Sequence, residues 1–252
     1  MSGHSKWHNI QAKKSVVDKK RGKIFSKLIR EITIAARQGG GDPETNPRLR
    51  LAVDKAREAN MPSDNIKKAI QRGLGELEGE KFEEIVYEGY GPGSVALYVE
   101  VTTDNKNRTT SEIRKIFSEH GGNLGETGCV SWMFEKKGEI KIEPASLSDD
   151  EVLLIAADAG AEDIKRDGSD LFVYTSPIDL FKVKTKLEEK GIKIISSEFT
   201  MIPKNSVKVE GDKAEQLLKL INDLDDHDDV QKVYANFEIS DEEMERIALS
   251  IK

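Results

Sequence analysis

Residues 139–202 read EIKIEPASLSDDEVLLIAADAGAEDIKRDGSDLFVYTSPIDLFKVKTKLEEKGIKIISSEFTMI and alternate short apolar runs with amphipathic ones. Runs rich in β-branched and aromatic residues predict strands, and apolar residues spaced three and four apart predict helices. The expected elements are strands near 140–142, 162–165, 171–174 and 192–199, with helices near 148–159 and 178–190. Their order, β-α-β-β-α-β, is that of a ferredoxin-like domain.

Two further β-α-β series flank this segment. The first is predicted at 95–101, 109–117 and 128–135, with Thr109 and Glu112 as a capping box at the start of its helix. The second is predicted at 206–209, 213–224 and 230–237. Because the second series has too few strands for a core of its own, we expect the two to form one discontinuous domain around the complete one.

The first 75 residues predict three short helices, at 23–38, at 47–59 and at 63–73. The predicted fold class is therefore α+β, with an N-terminal three-helix bundle followed by two ferredoxin-like α/β modules, the second inserted into the first. The predicted domains are a basic helical bundle with a flexible N-terminal arm at 1–78, a discontinuous ferredoxin-like domain at 79–136 plus 204–240, an inserted ferredoxin-like domain at 137–203 and a C-terminal helix at 241–252.

Charge is divided unevenly along the chain. The net charge is −7, yet residues 1–75 contain 17 Lys+Arg against 7 Asp+Glu, a balance of +10, which leaves −17 for residues 76–252. Such a cationic segment points to a polyanionic partner, nucleic acid above all. The predicted nucleic-acid-binding residues are Lys6, Trp7, Lys13, Lys14, Lys19, Lys20, Arg21, Lys23, Lys27, Arg30 and Arg37.

Two aromatic features leave alternatives open. Trp7 lies among basic residues and is expected either to stack on an exposed base or to pin the arm onto the helical bundle. Val130, Trp132 and Phe134 share one face of the predicted strand, and we interpret this stripe as core in preference to a base-stacking platform.

No catalytic or metal-binding pattern emerges, so we expect neither enzymatic activity nor a cofactor, a metal or a small-molecule substrate. His4 and His8 lack further ligands nearby, and the run at 225–229, DDHDD, lacks the spacing of a calcium loop and is expected to be a solvated acidic connection. The glycine-rich turn at 89–94 precedes a strand, unlike a phosphate-binding loop. The single cysteine, Cys129, excludes an intramolecular disulfide and is expected to be a small buried side chain.

The chain has no apolar run of about 18 residues and no secretory signal, so we expect a cytoplasmic protein without membrane contact. The acidic remainder is expected to limit indiscriminate coating of nucleic acid and to offer a surface to a protein partner.

Several motifs together resemble the YebC/PmpR family. They are GHSKW at 3–7, KIFSK at 23–27 with REI at 30–32, NMP at 60–62 with DNI at 64–66, YEGYGPG at 87–93, TDN at 103–105 with NRT at 107–109, GGNLG at 121–125 and WMF at 132–134. Ser94 stands where family members commonly have another glycine. The resemblance implies three domains and a role in gene expression. It favours a DNA-binding transcriptional regulator, with a translation factor that binds ribosomal RNA and assists synthesis of difficult sequences as the alternative.

Overall fold

A computed structural model describes Trp7 and residues 17–143, 149–167 and 170–250. It confirms the predicted α+β class, with N-terminal helices followed by sheet modules. Phe134–Lys204 form one compact unit, and the described residues before and after them form another. The predicted finer division into separate helical and α/β domains stays a prediction.

Eight α-helices lie in the described part of the chain. They are α1 (Val17–Gly39), α2 (Pro47–Glu58), α3 (Ser63–Leu74), α4 (Lys106–Glu119), α5 (Asp149–Ala159), α6 (Leu180–Glu189), α7 (Asp212–Asp226) and α8 (Asp241–Ser250).

The strands of the same residues belong to two four-stranded sheets and one two-stranded sheet. They are β1 (Glu83–Gly91), β2 (Val95–Thr103), β3 (Asn123–Leu124), β4 (Phe134–Ile142), β5 (Asp163–Asp167), β6 (Asp170–Thr175), β7 (Ile194–Pro203), β8 (Val207–Lys208), β9 (Val230–Ala235) and β10 (Phe237–Glu238).

Helices α1, α2 and α3 pack around a small apolar cluster that includes Ile32, Leu49 and Ala69. Helix α2 begins where sequence rules place it, because the Asn46 side chain accepts a hydrogen bond from the Leu49 N–H and Pro47 fills the first helical position. Helices α1 and α3 approach closely at Gly73, where a Cβ atom would lie 2.4 Å from the Thr33 carbonyl oxygen. The glycine therefore sets the contact distance between the two helices.

The sheet of the larger unit has the strand order β3-β1-β2-β9. Strands β1 and β2 form an antiparallel hairpin from Glu83↔Thr103 to Gly91↔Val95, and Gly93 turns the chain between them with a φ of +77°. Apolar residues of β2, α4, α7 and β9 pack into one core cluster, which also receives α8. Short strands β8 and β10 pair in parallel beside it.

The unit Phe134–Lys204 has a sheet of its own, in the order β5-β6-β4-β7, with all pairs antiparallel. Its chain order, β4-α5-β5-β6-α6-β7, matches the predicted β-α-β-β-α-β series, and β4 and β6 occupy the centre of the sheet. Phe134 and Pro203 are register partners, so the chain enters and leaves this unit at neighbouring points.

Two predictions about elements are wrong, and one strand was not predicted. A strand at 128–135 is not observed, because Ser131–Met133 form a 3-10 turn and Phe134 begins a strand of the other unit. The strand β1 was not expected at all, since its residues alternate poorly in polarity. Thr109 does not open α4; Asn105 does, by accepting from the Arg108 N–H, and Thr109 lies one turn inside the helix.

Candidate nucleic-acid interface

Helix α1 carries the predicted binding cations whose side chains the structure describes. Its apolar side, including Ile32, Ala35 and Ala36, is buried. Lys23, Lys27, Arg30 and Arg37 lie away from that side. Lys6, Lys13 and Lys14, and the side chains of Lys19, Lys20 and Arg21, lie outside the described part, as do His4 and His8.

The basic side of α1 contacts the acidic segment 225–229. Lys23 Nζ donates to the Asp226 carbonyl at 2.8 Å, and Lys27 Nζ donates to the Asp225 carbonyl at 2.7 Å. These carbonyls belong to the last turn of α7, where a helix leaves its acceptors unpaired and presents the negative end of its dipole. The two lysines therefore satisfy the end of α7.

Arg30 joins the same segment more deeply. One of its Nη atoms donates to the Asp228 carbonyl and lies 3.0 Å from Asp229 Oδ1. The side chain of Asp229 is only 3% exposed. Its other oxygen, Oδ2, accepts hydrogen bonds from Arg108 at 2.7 Å, from Thr109 at 2.7 Å and from Thr103 at 3.1 Å. The acidic connection predicted as solvated is thus partly buried, because cations of α1 and α4 converge on its last residue.

Ionisation of Asp229 follows from these contacts. Burial opposes the charged form, but the hydrogen bonds from Thr109 and Arg108 and the charge of Arg30 outweigh it and lower the pKa of the carboxyl group. The pKa of Lys27 is also lowered, since burial outweighs the attraction of Asp225 and Asp226. The contacts of Asp229 with Thr109, Arg108 and Arg30 therefore hold it as an anion at neutral pH.

Arg37 is also occupied within the protein. Its Nη1 donates to the Phe82 carbonyl at 2.6 Å, and the Arg30 guanidinium lies 5.5 Å from the centre of the Phe82 ring. All four predicted cations whose side chains are described thus contact acceptors of the same unit. That they bind nucleic acid stays a prediction. In the structure, these cations contact the segment 225–229 and the Phe82 carbonyl.

Trp7 lies in the core of the same unit. It is 1% exposed and belongs to the apolar cluster of Tyr87, Leu97 and Phe117, not to the cluster of the helical bundle. In this position the indole has no face available for a base. Of the two alternatives, burial favours Trp7 as an anchor. The indole packs in the core of the sheet module, however, and not in the predicted helical bundle.

Helix α3 presents cations that the sequence prediction left out. Lys67, Lys68 and Arg72 are exposed, while Ile66, Ala69 and Gly73 on the other side of the helix are buried. The signal was present in the sequence, since Lys68 and Arg72 stand four apart and share a helix face. Three cations on one helix are a weaker signal than the dense lysines of the first 37 residues, which contain all the predicted binding residues.

Trp132 is the exposed member of the predicted aromatic stripe. Val130 and Phe134 are buried as expected, but Trp132 is 62% exposed in the 3-10 turn, with its Nε1 donating to the Cys129 carbonyl at 3.1 Å. The two-residue alternation between buried and exposed side chains does not hold here, because Ser131–Met133 form a turn and not a strand. Cys129 is half-buried, and both burial and the negative charge of Glu88 raise the pKa of its thiol.

Glu88 organises the loop that precedes this turn. Its carboxylate is buried and accepts hydrogen bonds from the backbone N–H groups of Gly128, Val130 and Ser131 at 2.8, 2.7 and 2.7 Å. Burial opposes ionisation, but these N–H groups outweigh it and lower the pKa of Glu88.

Glu112, His227 and Asp229 are the group of potential metal ligands found among the described residues. The Asp229 N–H donates to His227 Nδ1 at 3.1 Å, so Nε2 carries the proton and donates to Glu112 at 2.9 Å. Because the ring nitrogens and Asp229 are already engaged, we interpret the group as a hydrogen-bond network. The expected absence of a metal remains a prediction. No helix in the described part of the chain is long and apolar enough to span a membrane.

Comparison with known proteins identifies two family matches. The N-terminal domain of TACO1/YebC proteins matches residues 5–76, and the second and third domains match residues 82–237. The chain belongs to the TACO1/YebC family. The resemblance predicted from the sequence motifs is confirmed.

Curated TACO1/YebC relatives match over almost their whole length. A protein of Dictyoglomus thermophilum, named "Probable transcriptional regulatory protein", is 57% identical over 98% of this chain and 100% of its own. One of Persephonella marina with the same name is 54% identical over 98% and 100%. The crystal structure of a conserved hypothetical protein from Aquifex aeolicus is 51% identical, covers 90% of this chain and 93% of its own, and superposes with a TM-score of 0.82.

Two of the motifs that carried the TACO1/YebC resemblance contribute a helix cap, a turn and hydrogen bonds to the fold of this chain. TDN and NRT, at 103–109, supply the Asn105 cap of α4 and three of the groups that hold Asp229. YEGYGPG, at 87–93, forms most of β1 and the turn into β2. The network around Asp229 was missed because Arg108 and Thr109 are separated from Asp229 by more than 100 residues in the sequence.

Proposed function

We propose that this chain is a cytoplasmic regulator of gene expression that binds DNA through its basic N-terminal helical region and acts by binding, not by catalysis. The observation that carries the proposal is the confinement of a +10 charge balance to residues 1–75 of a chain whose total is −7. The names of the relatives, "Probable transcriptional regulatory protein", support the regulatory role.

The physical basis is phosphate binding. Each phosphate neutralised by a lysine or arginine releases condensed counterions, which makes the affinity fall steeply as salt rises. Lysines outnumber arginines in the arm, and lysine contacts a phosphate as a point charge more readily than it pairs with a base edge in two places. Most of the affinity should therefore be independent of sequence, with specificity supplied by DNA shape or by few residues.

The same argument supports the second candidate, a translation factor on ribosomal RNA. Phosphate contacts do not distinguish DNA from RNA, and a lysine-rich surface without an evident base-reading pattern suits a structured RNA equally well. The acidic remainder of the chain would then face a protein partner, since it repels phosphates.

Crosslinking in cells decides between the two. The full-length protein is crosslinked, and the attached nucleic acid is sequenced from parallel samples treated with DNase or with RNase. Discrete genomic DNA that resists RNase would support the proposed regulator. Ribosomal RNA recovered at one position, and lost after RNase, would replace it by the translation factor. Recovery of neither would contradict both.

A further inference from the structure

The exposed side of α3 differs from the basic side of α1 in what surrounds it. Lys67, Lys68 and Arg72 are exposed, and within the described part of the chain none of the three makes an ion pair. Asp64, in the first turn, is the single acidic residue of the helix. The surface therefore retains its positive charge.

Other described cations of the helical region are engaged by the protein itself. Lys23, Lys27 and Arg30 contact the segment 225–229, as described above. Arg48 lies between Glu31 and Glu84, with its Nε 2.8 Å from Glu31 Oε1. These hydrogen bonds outweigh burial and raise the pKa of Arg48. A phosphate arriving at these groups would have to displace acceptors that are already in place, which weakens the net gain.

The exposed side of α3 is also rigidly presented. Ile66 and Ala69 are buried in the bundle, and Gly73 meets the backbone of α1 without room for a side chain. Lys68 and Arg72 are one helical turn apart, which separates them by about 6 Å along the axis, close to the axial rise of two nucleotides in one DNA strand. The two side chains can thus contact nearby phosphates of one strand without rearrangement of the helix.

We propose that the exposed side of α3, formed by Lys67, Lys68 and Arg72, binds the phosphates of duplex DNA. This inference rests on the proposed function and refines it, because it moves the phosphate contacts from the described cations of α1 to a helix that the lysine-rich arm does not include. The cations of α1 instead hold the helical bundle against the end of α7.

The test is a charge-matched pair of triple variants. Lys67→Gln, Lys68→Gln and Arg72→Gln together remove the proposed surface, and Lys182→Gln, Lys186→Gln and Lys190→Gln together remove three exposed cations on and just after α6, in the unit Phe134–Lys204. Binding of each full-length protein to a labelled duplex of about 25 base pairs is measured by fluorescence anisotropy between 50 and 200 mM salt. Thermal melts check that both variants fold.

Loss of three phosphate contacts should weaken binding by about tenfold or more at 100 mM salt, and the negative slope of log K against log salt should become shallower by about 3. The α6 variant should stay within about threefold of the unmodified protein, because its cations lie elsewhere. A folded α3 variant with unchanged affinity and slope would overturn this inference and leave the proposed function standing.

Failure of the proposed function has a different signature. If the unmodified protein does not bind the duplex, both proposals fall together. If it binds a structured RNA but no DNA, and the α3 variant loses that RNA, the duplex-DNA inference is wrong and the translation factor takes its place. Equal loss in both triple variants would also overturn the inference, since it would show a response to net charge alone.

Discussion

We expect the largest effects on stability from residues with many hydrogen-bond and ion-pair partners, and Asp229 is such a residue. Asn at this position keeps the shape but removes the charge that Arg30 and Arg108 share. We expect Asp229→Asn to lower the free energy of unfolding by roughly 3 kcal/mol, because it leaves two cations without their buried anion. The measurement is the urea midpoint followed by tryptophan fluorescence, since Trp7 and Trp132 both lie outside Phe134–Lys204.

Asp228→Asn is the matched control for that prediction. Asp228 is next in the chain, but its side chain is 69% exposed and its carboxylate lies 3.9 Å from Lys23. A surface pair of this kind contributes less than about 1 kcal/mol, so the control midpoint should barely move. Equal effects at the two positions would contradict the network described for Asp229.

We expect Glu88 to make the stability of the protein depend on pH. Its pKa is lowered in the folded state, so the unfolded chain binds more protons than the folded one at acidic pH. The stability it contributes is complete above the unfolded pKa of about 4.3 and is lost as pH falls through the folded value. We expect the urea midpoint to fall below about pH 4.5, and to fall less steeply in Glu88→Gln. A Gln variant as pH-sensitive as the unmodified protein would exclude this role for Glu88.

Elements divide into those that local sequence determines and those that distant contacts determine. Helices α2 and α3 were predicted almost to the residue, because Pro47 and the periodic apolar residues act within one or two turns. The contact of α1 with the segment 225–229 was not predicted, since Lys23 and Asp226 are separated by 203 residues and each looks like an ordinary surface charge. Amphipathicity shows that a helix has a polar side and does not show what covers it.

The packing of α1 can be tested by replacing glycine with alanine at two positions, for which we expect opposite effects on stability. A Cβ at Gly73 would lie 2.4 Å from the Thr33 carbonyl and 2.8 Å from the Ala36 side chain, whereas a Cβ at Gly22 meets nothing within 4 Å. Gly73→Ala should force α1 and α3 apart and cost about 1–3 kcal/mol. Gly22→Ala should stabilise by up to about 1 kcal/mol through higher helix propensity. Urea midpoints check both values, and a neutral Gly73→Ala would show that the two helices do not pack this closely.

At the scale of the whole molecule, the charge division seen in the sequence is partly cancelled inside the fold. The −17 of residues 76–252 includes Asp229, which is buried and pairs with Arg30 of the +10 region, and Asp228, whose carboxylate lies 3.9 Å from Lys23. A net charge summed along the chain therefore overstates the field that a nucleic acid meets. What remains exposed on α3 is smaller but is free of such internal competition.

The unit Phe134–Lys204 should be removable without unfolding the rest. Phe134 and Pro203 are paired across β4 and β7, which places their Cα atoms about 5 Å apart, so a Gly-Ser linker of about four residues can rejoin Met133 to Asn205. The described core cluster of the larger unit contains no residue of the excised segment. We expect the shortened chain to keep a cooperative urea transition by tryptophan fluorescence, with the unfolding free energy changed by less than about 2 kcal/mol, a change of the size that single substitutions produce. A chain that aggregates, or that shows no cooperative urea transition, would show that the larger unit depends on the smaller one.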